Sequence, residues 1–468
     1  MSFYSDLNSI DNKALPLLAA LALFMQTLDA TILNTALPSI AKDLNQSPLA
    51  MQSVIVSYTV TLAMLIPLSG WISNKWGTKI VFAVSISVFT LGSLLCAFSD
   101  TLFMLNISRI VQGVGGAMMV PVSRLAVLYA YPKDKILKVL NLVIIPGLIG
   151  PVIGPSLGGF FVDYASWHWI FLINVPIGIL GVWISIVVMP NYKKDNKPFD
   201  LLGFILFSLG VVLITLGIEW SSTGQIQWQY VVLIFLVAII SIVLYVIRAS
   251  RTVNPLLDMR LFKIRTFTIG FFGNLFTRLG IGGVPMLLPL MFQIGLSYSP
   301  SVAGMMLLPS ALATIFTKSL VVPIVKKLGY KTTLVSNTLL LSVVIASLAI
   351  PSIGASIYVY IPLLILYGMI NSVQLSAMNT MSISDLNNEN VSDGNSMLSV
   401  MQQLSITIGV SFTGLLLYVV NSMPQIQMVS TVRSFQWVFV ILAVVTACSS
   451  LIFIRLHHND GDAVSGHA

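Results

Sequence analysis

The chain carries fourteen apolar segments, each close to the length that a helix needs to cross a bilayer, about 20 residues. They run from Pro16 to Leu37, Gln52 to Ile72, Ile80 to Phe98, Leu102 to Ser123, Val139 to Phe161, and Trp167 to Met189. Two more run from Leu201 to Glu219 and Tyr230 to Ile247. The last six run from Phe267 to Phe292, Val302 to Val325, Thr332 to Ile350, Tyr358 to Met381, Met397 to Val420, and Phe435 to Ile454. Continuous apolar runs without two-residue alternation point to helices and not to a barrel. The first run is too long for the apolar core of a cleaved leader and contains Asp29, so it reads as a span. The expected class is an all-α polytopic membrane protein with fourteen transmembrane helices.

Composition supports this. Only 9% of the 468 residues are charged, against about 25% in soluble domains. So few charges cannot cover a water-facing surface of this size. That excludes a cytosolic enzyme, a secreted domain and a disordered chain. The net charge of +8 would suggest nucleic acid on a soluble protein. Here the positive residues fall in loops on one side.

With the N-terminus placed inside, the cytoplasmic face collects Lys13, Lys75, Lys79, Arg124, Lys133, Lys135, Lys138, Lys193, Lys194 and Lys197. It also collects Arg248, Arg251, Arg260, Lys263, Arg265, Lys326, Lys327, Lys331 and Arg455. Lys42 and Arg433 remain for the other face. Such a Lys/Arg bias orients polytopic proteins, so both termini are expected in the cytoplasm.

An internal echo divides the chain. Lys75-Trp76-Gly77-Thr78-Lys79 follows span 2, and Lys327-Leu328-Gly329-Tyr330-Lys331 follows span 10. Tight basic turns alone could look alike, but the spacing suits two six-helix halves with spans 7 and 8 between them, a known transporter plan. The expected divisions are an N-terminal half over 1–189, inserted helices and linker over 190–266, a C-terminal half over 267–456, and a polar tail over 457–468.

Ionisable side chains at bilayer depth are costly and mark candidate functional sites. The span interiors hold Asp29, Arg109, Arg278 and Lys318, while Glu219 sits at a span edge. At a rise of ~1.5 Å per residue, Asp29 and Arg109 both lie ~20 Å from the inner surface. An acid and a guanidinium at one depth each reduce the other's desolvation cost. The pair could be structural. If it alternates between a wet, paired state and a dry, separated one, Asp29 can load and release a proton. Arg278 has no acidic match in its half and should face an aqueous cavity or a polar cluster. Asn274, Asn371, Gln374 and Gln402 are candidates beside it, with Gln26, Asn34 and Gln112 from the first half. Lys318 is close enough to the inner surface to snorkel, and its role stays open.

Span 5 places Gly150, Gly154 and Gly158 four residues apart, with Pro146, Pro151, Pro155 and Gly159 interleaved. Small residues at this spacing let helices approach closely, and prolines allow bending. No phosphate-binding G-x-x-x-x-G-K-[ST] loop is present. His168, His457, His458 and His467 fall at no metal-ligand spacing. An enzyme, a cofactor and a metal are therefore not expected. Cys96 and Cys448 lie in apolar runs and read as reduced packing residues. A channel should show a pore-lining polar ring, and none is evident.

At these residues the chain resembles the major facilitator superfamily, and within it the fourteen-span drug:proton antiporters. Leu28-Asp29-Ala30-Thr31-Ile32-Leu33-Asn34-Thr35-Ala36-Leu37-Pro38 matches that family's first-helix motif. Leu105 to Arg109, Gln112, Gly113, Gly115 and Ala117 match its fourth-helix motif. Gly150, Gly154, Pro155, Gly158 and Gly159 match its antiporter motif, and Trp167 to Gly178 its sixth-helix signature. The resemblance implies a major facilitator fold of 6 + 2 + 6 helices and alternating access around a central cavity. It also implies proton-driven export across a bacterial inner membrane, with Arg109 assigned to proton transfer. Implied partners are the lipid bilayer, protons and a small-molecule substrate, for a monomer. Multidrug efflux is what the family suggests. Three intramembrane cations against one acid suit instead a small organic anion such as a carboxylate metabolite.

One motif departs from the family. The gating loop reads Gly70-Trp71-Ile72-Ser73-Asn74-Lys75-Trp76-Gly77-Thr78-Lys79, with Asn74 where the family carries an aspartate. Asparagine can accept a hydrogen bond or cap a helix but brings no charge. The expected result is a weaker cytoplasmic latch and a resting population shifted toward inward-facing. A cysteine in the cytoplasmic cavity should label more slowly in Asn74→Asp than in the parent, and equal labelling would refute the idea.

Overall fold

A computed structural model describes residues 14–131, 133–194, 198–223, 227–350, 356–386, 390–423, 431–457 and 460–461. All regular elements among them are helices. The first group is α1 (Ala14–Asp43), α2 (Gln52–Leu65), α3 (Ser69–Trp76), α4 (Thr78–Ala97), α5 (Leu102–Ala130), α6 (Lys133–Tyr164), α7 (Trp169–Leu172) and α8 (Asn174–Val188). Next come α9 (Leu201–Thr223) and α10 (Trp228–Arg251). The remainder are α11 (Arg265–Ile281), α12 (Val284–Leu290), α13 (Pro300–Met305), α14 (Leu308–Thr317), α15 (Val321–Ser347), α16 (Tyr360–Ile383), α17 (Val391–Asn421) and α18 (Thr431–Phe453).

Among the described residues, twelve helical stretches are long and apolar enough to cross a membrane, against the fourteen runs that hydropathy marks. One of the twelve, Pro300–Ser347, is 48 residues long. As a straight helix it would reach about 72 Å, far beyond a hydrocarbon core of about 30 Å. It breaks inside α15 at Gly329, whose φ of 73° and ψ of 164° leave the helical region. Gly77 between α3 and α4 has φ 96° and ψ 147°. The two glycines of the K-x-G-x-K echo thus adopt one backbone conformation, which side chains with a Cβ avoid. Helix α6, 32 residues with Pro146, Pro151 and Pro155 inside it, stands outside the twelve.

The end of the bundle with the Gly77 and Gly329 turns and their flanking lysines is here called the basic end. There the Lys194 N–H donates to the Asn74 carbonyl at 3.3 Å, and the Thr266 hydroxyl donates to Asp385 Oδ2 at 2.9 Å. The Arg265 guanidinium donates to the Arg455 carbonyl. At the far end Trp167 Nε1 donates to Asp43 Oδ2 at 2.7 Å.

The largest apolar cluster joins Ile32, Leu37 and Ile40 of α1 to Val54 of α2, Phe292 beyond α12, and Phe439 of α18. A second holds α1, α2, α4 and α5 together around Tyr58, Phe82 and Phe89. A third joins α11, α15, α16 and α18 around Met378 and Phe453. Helix α9 packs on α17 and α2, and Phe207 of α9 and Tyr245 of α10 share a core with Phe267 of α11 and Met397 of α17.

The Gly150, Gly154 and Gly158 stripe of α6 lies on Thr27, Thr31 and Thr35 of α1. Thr31 and Thr35 donate to the Gly150 and Pro155 carbonyls at 3.3 and 3.0 Å. A Cβ at Gly158 would run into the Ile32 carbonyl oxygen. The stripe is a place of backbone-to-backbone approach, as small residues allow in membranes.

Candidate functional site

Asp29 lies in the middle of α1 and Arg109 in the first third of α5. Their shared depth brings them into contact, with Arg109 Nη1 to Asp29 Oδ2 at 2.6 Å and both side chains 1% exposed. The same Nη1 donates to Gln112 Oε1 at 2.6 Å. Gln112 Nε2 donates to Asp29 Oδ1 and to Ser93 Oγ, each at 2.7 Å. Asn174 Nδ2, at the start of α8, reaches Asp29 Oδ1 at 3.2 Å and Ser93 Oγ at 3.3 Å. Arg109 Nε donates to the Val54 carbonyl at 3.2 Å. The guanidinium carbon stands 4.2 Å from the Tyr58 ring centre. Side chains of α5 and α8 thus bond the carboxylate of α1 directly, residues of α2 and α4 complete the network, and each carboxylate oxygen is hydrogen-bonded. Such a network is required because a buried charge without partners costs several kcal/mol.

A cavity of about 1220 Å³ runs from this pair to the basic end. Arg109 lines its inner part, and Asp29 is screened behind it. Gln26, Asn34, Arg278, Asn371 and Gln402 line it as expected. Three expected lining residues do not. Gln112 is fully buried in the ion-pair network. Asn274 is also fully buried, and its Nδ2 donates to the Gly270 carbonyl at 3.1 Å. Gln374 is fully buried, donates to Thr338 Oγ1 at 2.7 Å and accepts from Asn337 Nδ2 at 2.9 Å. All three turn inward to satisfy polar atoms that apolar surroundings would otherwise strand.

Arg278 is 8% exposed. Its Nε donates to Asn274 Oδ1 at 3.3 Å, and among the described residues no carboxylate lies within ion-pairing distance. Gln402 Nε2 donates to Asn379 Oδ1 at 3.1 Å, and Asn371 Oδ1 is buried without a hydrogen-bond partner among the described residues. Lys318 stands in the turn Lys318–Leu320, exposed on the outer surface and away from the cavity.

The segment over 70–79, read from the sequence as a gating motif, lies at the cavity mouth. Gly70 and Asn74 line it, Lys75 Nζ sits 4.8 Å from the Trp71 ring centre, and Lys79 follows the Gly77 turn. An added Cβ at Gly70 would meet nothing within 4 Å. Asp258 and Arg260, between α10 and α11, also line the mouth. Hydrogen bonding from Arg260 holds the Asp258 carboxyl below its ordinary range, so this pair stays ionised at neutral pH.

The fold and this geometry agree with comparison to known proteins. A family profile described as the Major Facilitator Superfamily matches residues 19–410 and 270–466. The chain belongs to the major facilitator superfamily. It is 43% identical over 441 residues to a protein of Pectobacterium atrosepticum named "Putative multidrug resistance protein MdtD", covering 94% of each chain. An Escherichia coli protein of the same name is 42% identical over 440 residues, covering 94% of this chain and 93% of the relative. Among solved structures, a D-xylose–proton symporter aligns with a TM-score of 0.66 at 13% identity, over 96% of this chain and 98% of its own. A POT family transporter in complex with 5-aminolevulinic acid aligns with a TM-score of 0.68 at 15% identity, over 96% of each chain. The protein is a membrane transporter of small molecules and not an enzyme.

Sequence reasoning missed Ser93, Tyr58 and Asn174 as members of the ion-pair site. Asn174 lies inside the sixth-helix signature, which could have flagged it. Ser93 and Tyr58 look like any polar residue of an apolar helix.

Removing one partner of a buried ion pair costs about 3–5 kcal/mol, because the other charge is left stranded. Arg109→Ala is therefore expected to lower the thermal unfolding midpoint clearly in detergent. Asp29→Asn combined with Arg109→Gln, which removes both charges, should recover much of the loss.

Proposed function

We propose that this transporter is a proton-coupled antiporter that exports small molecules across the bacterial inner membrane by alternating access. The observation that carries this reading is the Asp29–Arg109 pair. It is buried under a cavity that Arg109 also lines. A carboxylate whose cation faces the substrate space can exchange that partner for a proton when the cavity changes its contents or its exposure. Substrate entry and proton loss are then linked at one site. The relatives' multidrug resistance name and the proton symporter among fold neighbours are in keeping with this.

Fourteen spans follow if Pro300–Ser347 is divided at Gly329 and α6 is counted as a span. Two six-helix halves over 1–189 and 267–456, with 190–266 between them, are supported by the matching Gly77 and Gly329 turns. With both termini inside, the cavity opens to the cytoplasm. The far-end apolar cluster around Ile40, Val54 and Phe292 then seals the periplasmic side.

In inverted vesicles acidified inside, substrate-induced proton release is expected to vanish in Asp29→Asn and to be weak in Arg109→Ala. Fluorescence of a ΔpH-sensitive dye reads it, and persistence in both variants would refute the assignment.

Substrate polarity has a second reading. Arg278 faces the cavity without a carboxylate partner among the described residues, so the central space carries an excess positive charge. That suits a small organic anion better than a cationic drug. Loss of a charged hydrogen bond weakens binding about tenfold or more. Arg278→Ala should raise the apparent KM for carboxylate uptake into inverted vesicles by that factor. Unchanged uptake of every tested carboxylate would sink this reading.

A further inference from the structure

The far end holds a directional contact that the ion-pair site does not use. Asp163, near the end of α6, accepts a hydrogen bond from the backbone N–H of Ser301 in α13, with N to Oδ2 at 2.8 Å. The first N–H groups of a helix have no partner inside it, so this donor is open to an outside acceptor. The helices meet here at backbone distance. A Cβ at Gly159 would strike the Pro300 carbonyl oxygen, and one at Gly304 the Pro155 carbonyl oxygen. Ser156 Oγ donates to the Gly304 carbonyl at 3.3 Å. Nearby, Gln293 Nε2 donates to the Thr35 carbonyl at 2.8 Å. The apolar part of the far-end seal is non-directional and can slide. The Asp163 to Ser301 bond cannot survive a parting of α6 from α13.

We propose that Asp163 is a positioning residue of the transport cycle, a latch that holds the far end closed by gripping the Ser301 amide across the α6–α13 seam. The proposal rests on the alternating-access reading above. The bond exists only while the far end is closed, so its free energy weights that state directly. Asp163 is exposed, and water replaces it when the seam opens, so the net effect is modest. A single hydrogen bond of this kind shifts a two-state population about fivefold. At the basic end the gating loop offers the uncharged Asn74. The two gates therefore differ, with a charged acceptor at the far end and a neutral amide at the other.

Electron spin distance measurements on purified full-length protein in nanodiscs test this. Cys448→Ser removes the exposed thiol, and the buried Cys96 is left in place. One nitroxide pair at Asp100→Cys and Ser422→Cys reports the far end, and another at Lys193→Cys and Lys327→Cys reports the basic end. Asp163→Ala should enlarge the long-distance population of the far-end pair about fivefold and shorten the basic-end pair. Asp163→Asn, whose amide oxygen can accept the same bond, should stay near the parent. Gly304→Ala, which wedges the seam at the Pro155 carbonyl, should shift both pairs in the same sense as Asp163→Ala. Distributions of Asp163→Ala that superimpose on the parent overturn the latch. If Gly304→Ala moves both pairs while Asp163→Ala moves neither, alternating access stands and the latch alone fails. An equal shift in Asp163→Asn and Asp163→Ala also overturns it, since the hydrogen bond would then not be the cause.

Discussion

Desolvation of charge is the constraint on which the rest of the site depends. Asp29 and Arg109 sit where either charge without the other would cost several kcal/mol. The structure answers by joining residues of five helices around one carboxylate. Gln112 bridges the pair from both sides, Ser93 and Asn174 complete the ring, and the Val54 carbonyl accepts from Arg109 Nε. Arg109 touches both this dry ring and the cavity. A change in the cavity is therefore felt by the carboxylate through its own counterion.

Close packing in lipid has a different origin from packing in water. There is no solvent to drive apolar faces together, so contact area and backbone approach do the work. The α6 helix supplies both. One face lays Gly150, Gly154 and Gly158 on the threonines of α1, and the other sets Pro155 and Gly159 against Gly304 and Pro300. A single helix thereby carries the rigid contact within the first group of helices and the seam to α13. Its three prolines leave it fewer internal hydrogen bonds to resist bending.

Much of the site was legible in the sequence because lipid makes charge conspicuous. Asp29 and Arg109 stood out as rare ionisable residues, and counting residues along each span put them at one depth. Arg278 stood out in the same way, and it does line the cavity. The uncharged polar residues were harder to place. Gln112, Asn274 and Gln374 looked as suited to the cavity as Asn371 and Gln402, yet they are buried among their own helices. Spans that are apolar all round carry little facing information. In a soluble protein the polar side of a helix marks the solvent. Here lipid and protein interior are alike in polarity, so the rotation of a helix about its axis leaves no trace in its pattern.

The sequence by itself determined that the chain is a polytopic helical membrane protein of the major facilitator type. It also marked which few charges lie at membrane depth and where glycine permits a break or a close approach. These follow from hydropathy, charge cost and backbone sterics, which are local properties. Only the tertiary structure decided which polar side chains close the ring around Asp29 and which face the cavity. It alone brought Asp163 to the Ser301 amide across 138 residues of chain. Those outcomes depend on helix rotation and on the partners met across the bundle, and neither is encoded in the pattern of any one helix.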